Sequence, residues 1–166
     1  MLVKLKNVRL NFGHLFEASV SPKFPNNDPK YGGTFLMDKS TKHGKDAVKL
    51  LAKVRDEVLG ENVVKADKML ITDGDEPGQH EANAGLFIVK AANKNRPVVV
   101  DAEGNGSVAA DGLFYDGCYV NVALDVYYYA DMKGVFATLL GVQFASDGDT
   151  LGVRRYTADE MFGNEG

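Results

Sequence analysis

The stretch that most constrains the fold is CYVNVALDVYYY, residues 118–129. Read as a β-strand, its alternate side chains point to opposite faces. One face is apolar and is expected to be buried; it carries Cys118, Val120, Val122, Leu124, Val126 and Tyr128. The opposite face carries Tyr119, Asn121, Ala123, Asp125, Tyr127 and Tyr129. A straight strand of this length would span about 40 Å, so we expect it to coil or bulge, as strands do in small barrels.

The remaining segments predict more short strands around a single helix. The helix is indicated by one apolar stripe at helical spacing, with Ser40 or Thr41 before it and Gly60 after it as caps; the stripe is Ala47, Leu50, Leu51, Val54 and Val58. Strands are expected through about Phe12, at 31–37, in two runs within 85–101, and at 134–144 as a hairpin with the long strand. The pattern favours a small β barrel with insertions, although other β architectures also fit it.

Composition leaves the class of partner open. The chain has 166 residues and a formal net charge of −4, so its overall charge does not indicate a nucleic-acid-binding protein. The charge is uneven, however: residues 82–100 contain no acid but contain Lys90, Lys94 and Arg96. This segment indicates a local basic surface, and a mixed solvated surface is the alternative. The single Cys118 excludes an internal disulfide, fits a reducing compartment and is expected in the core.

Sequence motifs give little support for catalysis. The stretch DGDEPGQHEANA begins like a calcium loop at Asp73 and Asp75, but the position that requires a bidentate Glu is Ala84. The three histidines lie far apart and no zinc set, phosphate loop or nucleophile elbow is present. We therefore predict no catalytic residue, metal or cofactor. A metal-dependent nuclease using Asp73, Asp75 and Glu76 remains a minor alternative.

Three tyrosines on the outward face of the long strand allow three interpretations. They can pair with neighbours across the sheet, they can be covered by another part of the chain or by a second subunit, or they can stack on planar ligands. Nucleobases suit the third interpretation because every base offers a π face. Basic side chains nearby would favour it, since single-stranded nucleic acid also needs phosphate contacts.

Several motifs together resemble the single-stranded-DNA-binding proteins of tailed bacteriophages. They are KYGGTFLMDKS (30–40), ITDGDE (71–76), NKNRPVVVD (93–101), FYDGCYV (114–120) and KGVFATLLGVQFASDGDTLG (133–152). The resemblance implies a mainly β, OB-fold-like five-stranded β barrel with one inserted α-helix and long loops. Residues 1–155 would form this single domain and residues 156–166 a short acidic C-terminal tail.

The resemblance implies non-catalytic, sequence-tolerant coating of single-stranded DNA during phage replication or recombination in the host bacterial cytoplasm. Basic and aromatic family positions would fall on Lys30, Tyr31, Lys94, Arg96, Tyr115 and Tyr119. The residue pattern adds Lys90, Tyr127 and Tyr129 as binding candidates, with Lys23, Arg154 and Arg155 as weaker ones. Phe35 is a further stacking candidate, although the pattern does not assign its face. Family members often recruit replication proteins through an acidic tail; here the tail is short and Phe162 is not its last residue.

The expected partners are single-stranded DNA, phage replication proteins through the tail, and a second copy of the chain in a homodimer; no membrane is expected. The main rival hypothesis is a phage structural or assembly β protein. In that hypothesis the outward tyrosines line a subunit interface instead of a DNA-binding platform.

Overall fold

The computed structural model describes residues 1–151 and 162–163. Its strands and helix are β1 Leu2–Ser19, β2 Lys30–Asp38, α1 Lys42–Leu59, β3 Ile71–Asp73, β4 Leu86–Asn93, β5 Val98–Val100, β6 Tyr119–Tyr129 and β7 Gly134–Ser146. Short 3₁₀ turns lie at Ala66–Lys68, Glu81–Asn83, Ala109–Asp111 and Ala130–Met132. Arg154, Arg155 and all of the predicted tail except residues 162–163 lie outside the described residues.

Five of the strands close into a barrel. β1 pairs antiparallel with β2 and β6, β2 with β4, and β6 with β7. A parallel contact between Ala92 of β4 and Thr138 of β7 joins the two ends of this sheet. The ring therefore runs β1-β2-β4-β7-β6, while β3 extends it beside β4 and β5 beside β7. This confirms the mainly β, OB-like five-stranded barrel with one helix and long loops.

The long strand β6 shows the predicted alternation. Val120, Val122, Leu124 and Val126 are buried in the barrel, whereas the side chains between them are partly or fully exposed. The buried face packs with residues from every other barrel strand, including Leu5, Leu10, Phe35, Val89 and Leu139. Register shifts near Val120 and Leu124 let the strand follow the barrel. Cys118 is buried as expected, and burial raises the pKa of its thiol.

The first strand is longer than the sequence indicated. It continues past Phe12 to Ser19 and pairs with both β2 and β6. Asn7 and Phe12 have φ of 54° and 49°, each at a register shift. A side-chain oxygen satisfies the backbone N–H at each point: Asn121 Oδ1 accepts from Asn7, and Asn11 Oδ1 accepts from Phe12. These bulges bend β1 around the barrel, which strand periodicity alone does not reveal.

The helix α1 packs against β1, β2 and β6. Thr41 is its N-cap, with Oγ1 accepting from the Gly44 N–H at 3.0 Å, and Gly60 is its C-cap. Of the predicted stripe, Ala47, Leu51 and Val54 are buried, but Leu50 is 42% exposed because it lies at the stripe's edge. In the described part of the chain, no helix has the length and apolar character that a bilayer crossing requires.

Candidate nucleic-acid interface

Three lysines and two aromatic rings converge on one groove of the barrel's outer surface. The groove has a volume of about 550 Å³. Its defining side chains are Lys30, Lys90, Lys94, Tyr127 and Phe136, and this set is called the lysine groove below. Ala92 and Thr138, the pair that closes the barrel, also line it. Positive charge and aromatic surface thus lie together over a floor of small side chains.

Strand register explains why the lysines meet. Lys30 begins β2 and Lys90 lies within β4, where it pairs with Thr34 of β2. The Tyr31–Asn93 pair ends the same ladder, so Lys94 leaves β4 beside the start of β2. All three lysines are exposed. Lys94 also forms an ion pair with Asp28 of the β1–β2 loop, with Nζ and Oδ2 separated by 3.2 Å. Because both side chains are largely exposed, this pair is weak.

Tyr127 and Phe136 form the aromatic side of the lysine groove. They are directly paired across β6 and β7, with ring centroids 6.2 Å apart and planes tilted by 40°. Tyr127 is 41% exposed. Phe136 was not among the sequence candidates, although the alternation of β7, with Val135 inward and Phe136 outward, was available to find it.

A second groove continues along the β1–β2 loop. It has a volume of about 430 Å³ and shares Lys30 and Lys90 with the lysine groove. Tyr31 lies in it, and the Arg96 guanidinium is 5.9 Å from the centre of the Tyr31 ring. Phe12 and Phe24 also line this groove, and neither was a sequence candidate. Because the two grooves share residues, they form one continuous concave surface.

Tyr115 and Tyr119 lie at the opposite end of β6 from Tyr127. The Arg9 guanidinium is 5.8 Å from the centre of the Tyr119 ring, and Arg9 Nε donates to the Gly117 carbonyl at 3.0 Å. The Tyr115 hydroxyl lies 3.0 Å from Asp147 Oδ1. It also accepts from the backbone N–H of Gly148 at 3.0 Å, and burial raises its pKa.

The sequence candidates are therefore divided in space. Lys30, Lys90, Lys94 and Tyr127 share the lysine groove, and Tyr31 and Arg96 flank it. Tyr129 is 44% exposed at the end of β6 and does not line the groove. Tyr115 and Tyr119 hold a different part of the barrel together. Arg154 lies outside the described residues. Phe35 is wrong as a stacking candidate, because its side chain is buried in the barrel core.

The carboxylates considered for a metal site are bound by a lysine instead. Lys39 Nζ lies 2.5 Å from Asp73 Oδ1 and 2.7 Å from Asp75 Oδ2. These hydrogen bonds lower the pKa of both carboxyl groups. The other oxygen of Asp75 accepts from the backbone N–H of Gly85. Among the described residues, no group of three or more His, Cys, Asp and Glu side chains could hold a metal ion. The motif at residues 71–76 thus serves as a structural turn.

Comparison with known proteins assigns the family. The family model described as "Enterobacter phage Enc34, ssDNA-binding protein" matches residues 1–166. The chain belongs to this family. Protein p50 of Acyrthosiphon pisum secondary endosymbiont phage 1 is a curated relative, 37% identical over 166 positions that cover 90% of this chain and 85% of p50. The family assignment confirms the resemblance to phage single-stranded-DNA-binding proteins.

Solved structures show the same fold. The single-stranded DNA-binding protein of bacteriophage Enc34, in complex with ssDNA, superposes with a TM-score of 0.73 at 24% identity; 91% of this chain and 89% of that chain are covered. The single-stranded DNA-binding protein gp2.5 of bacteriophage T7 gives a TM-score of 0.55 at 14% identity, over 93% of this chain and 98% of that chain. Members of the Enc34 family and T7 gp2.5 therefore share the barrel found here.

In this member of the Enc34 family, the five barrel strands in chain order are β1, β2, β4, β6 and β7. The lysine groove therefore lies mainly on the third and fifth barrel strands, β4 and β7, with Lys30 contributed by the start of the second strand. The loop between the first and second strands borders it on one side, through Asp28 and Phe24. Tyr127 and Phe136 border it on the other side, next to the turn between the last two strands.

Proposed function

We propose that this protein binds single-stranded DNA without sequence preference, using the lysine groove. The observation that carries the proposal is the convergence of Lys30, Lys90 and Lys94 with the ring pair of the exposed Tyr127 and the partly exposed Phe136. Phosphates would contact the lysines, and bases would stack on the rings. Stacking on an aromatic side chain is sequence-tolerant, because all four bases present a π face.

The position of the groove on the barrel supports the proposal. OB folds bind oligonucleotides on the face of their second and third strands, between the loops that join strands 1–2 and strands 4–5. The lysine groove takes Lys30 and Lys90 from the corresponding strands, β2 and β4, and the second groove beside it is lined by residues of both strands. The family's description and the Enc34 complex with ssDNA also support it. Tyr31 and Arg96 would extend the contact surface from the groove's edge.

The local charge supports the proposal as well. The whole chain has a net charge of −4, so attraction of a polyanion must come from a local patch. Among the described residues that line it, the lysine groove has three exposed lysines and no carboxylate. At its edge, Asp28 forms an ion pair with Lys94. This arrangement favours phosphate binding at the lysine groove, although the chain as a whole carries a net negative charge.

The rival functions have less support. A nuclease at Asp73 and Asp75 would need open carboxylates for a divalent cation, but Lys39 binds both of them. A tyrosine-lined subunit interface does not explain why three lysines line the same groove as Tyr127. We therefore propose a non-catalytic role. Coating of DNA during phage replication or recombination, in the host cytoplasm, belongs to the same proposal, as do recruitment of replication proteins and a homodimer.

The test is a titration that uses intrinsic tyrosine emission. The chain has seven Tyr and no Trp, so stacking on Tyr127 should quench the signal directly. Oligothymidine should quench it, and a duplex of equal length should do so only weakly. The logarithm of affinity should fall with the logarithm of salt concentration by about 2, from three lysine contacts at about 0.7 each. Equal binding of duplex, or no salt dependence, would contradict the proposal.

A further inference from the structure

Phe12 combines two unfavourable features on the surface of β1. Its backbone has a φ of 49°, in the left-handed region that aromatic residues rarely adopt. Its side chain is nevertheless 67% exposed, so the ring gains little from burial. Such a conformation costs energy and persists only where the surrounding structure imposes it, which is commonly at a binding site.

The surrounding structure does impose this conformation. The Phe12 N–H donates to Asn11 Oδ1 at 3.0 Å, and the next N–H, of Gly13, donates to Asp116 Oδ1 at 3.0 Å. The β1–β2 register shifts at this point, between Asn11 and His14. Bulges of this kind re-aim a side chain. Here the bulge holds an apolar ring out in solvent without any contribution to the barrel core.

The position of the Phe12 ring relative to the grooves indicates what it can contact. Phe12 lines the groove that shares Lys30 and Lys90 with the lysine groove. It also lines a third cavity, of about 440 Å³, which lies further along β1 and β2. That cavity is bordered by Arg9, Leu36 and Tyr119. Phe12 therefore stands on the ridge between the proposed DNA path and a further, mainly apolar hollow.

We propose that Phe12 is a second base-stacking residue, over which the single strand passes as it leaves the lysine groove. This inference rests on the proposed function. From Tyr127 on β6 to Phe12 on β1 the surface crosses β7, β4 and β2, which is four steps of about 4.8 Å, or about 19 Å. At about 3.4 Å per stacked nucleotide, the two rings are at most five to six nucleotides apart. The two stacking points would thus act on one oligonucleotide.

The test replaces the ring without disturbing the bulge. Phe12→Asn removes the aromatic face but tolerates positive φ, so the fold should persist. With an oligothymidine of about 16 nucleotides, the upper end of OB-fold site sizes, we expect affinity to fall about 5- to 100-fold. Phe12→Tyr retains the ring and should bind within about twofold of wild type. Val98→Ala is the matched control, because Val98 on β5 is also 67% exposed and lies away from the grooves.

Two further measurements separate the outcomes. An oligothymidine of about 4 nucleotides can occupy the lysine groove alone, so Phe12→Asn should change its affinity little. Thermal unfolding of Phe12→Asn should show a midpoint equal to or above that of wild type, because strain is relieved. A wild type that fails to bind either oligonucleotide would remove the proposed function. A wild type that binds, with Phe12→Asn indistinguishable on the long oligonucleotide, would overturn this inference alone.

Discussion

A tyrosine lies towards each end of β6, but one contacts an arginine and the other is exposed beside a groove. At the first end the Tyr119 ring lies under the Arg9 guanidinium, and Arg9 is itself fixed to the Gly117 carbonyl. At the other end Tyr127 is 41% exposed and borders a groove with three lysines. Both rings lie on the outward face of one strand. Outward direction alone therefore does not make a tyrosine available to a ligand.

The difference teaches what a stacking platform requires. A base needs a free ring face and a cation near enough to hold the adjoining phosphate. At Tyr119 the Arg9 cation lies against the ring, is partly buried and also donates to the Gly117 carbonyl, so charge and ring satisfy each other. Arg96 beside Tyr31 is exposed instead. At Tyr127 the neighbouring ring is Phe136 and the lysines stand apart from it. The first arrangement stabilises the fold, and the second leaves both groups for a ligand.

The largest expected effect comes from removing the free ring. Tyr127→Ala should weaken oligothymidine binding by about 1–3 kcal/mol, the usual contribution of one base stack. Tyr119→Ala should weaken binding far less and should lower the thermal midpoint more, because it leaves Arg9 without its ring contact. Affinity from tyrosine quenching and stability from thermal unfolding would be measured for both variants.

A ring-preserving variant controls for the loss of stacking. Tyr127→Phe keeps the π face and should bind almost as wild type does. If Tyr119→Ala weakened binding as much as Tyr127→Ala while leaving the thermal midpoint unchanged, the contrast between the two ends would be wrong.

The next effect concerns charge in the lysine groove. Lys90→Ala should reduce the salt slope by about 0.7, which corresponds to about fivefold in affinity at 0.1 M salt. Lys45→Ala on α1 is the matched control, since Lys45 is also exposed but is not among the residues that line the groove. Affinity would be measured at several salt concentrations for each variant. An equal loss of slope in both variants would show that net charge, and not the groove, attracts the DNA.

Much of the fold could be predicted because the signals are local. The alternation of apolar and polar residues predicted both faces of β6. The apolar stripe, together with Thr41 and Gly60, predicted α1 and its caps. The course of β1 could not be predicted in this way. Its bulges depend on Asn121 and Asp116, which lie more than a hundred positions away in the sequence. Contacts of that kind exist only after the barrel closes.

The residues of the candidate site likewise fall into those that local sequence signals predict and those that depend on distant contacts. Lys90, Lys94 and Arg96 were found because they share one acid-free segment. The separation of Tyr119 from Tyr127 was not predictable, since it depends on Arg9 from the other end of the chain. Phe136 could have been found from the alternation of β7. Phe12 could not, because its exposure results from a bulge that side-chain hydrogen bonds create.

A smaller effect tests the structural end of β6. Tyr115→Phe removes the hydroxyl that accepts from Gly148 and contacts Asp147. It should lower the thermal midpoint by a few degrees at neutral pH and leave DNA affinity unchanged. The folded-state pKa of Tyr115 is raised, so its contribution is fully present below its ordinary pKa of about 10. That contribution is lost as pH rises through the folded-state pKa.

The midpoints of wild type and Tyr115→Phe should therefore converge in alkaline solution. Thermal unfolding at a series of pH values would show this. A constant difference between the two proteins above pH ~10 would mean that the Tyr115 hydroxyl does not provide the contribution described.

The smallest expected effect tests whether Lys94 in the lysine groove is available to bind phosphate. Asp28 pairs with Lys94 at 3.2 Å, and both side chains are mostly exposed. Exposed pairs contribute only about 0.2–1 kcal/mol, so a phosphate can displace Asp28 at little cost. Asp28→Asn should raise oligothymidine affinity about two- to threefold at low salt, because Lys94 is released and one repulsive charge is removed. The gain should vanish at high salt, where the pair is screened. Glu17→Gln removes an equal charge from the C-terminal half of β1 and serves as the control. A gain in affinity in both variants would reflect net charge alone, whereas a gain confined to Asp28→Asn would place Lys94 in contact with the DNA strand.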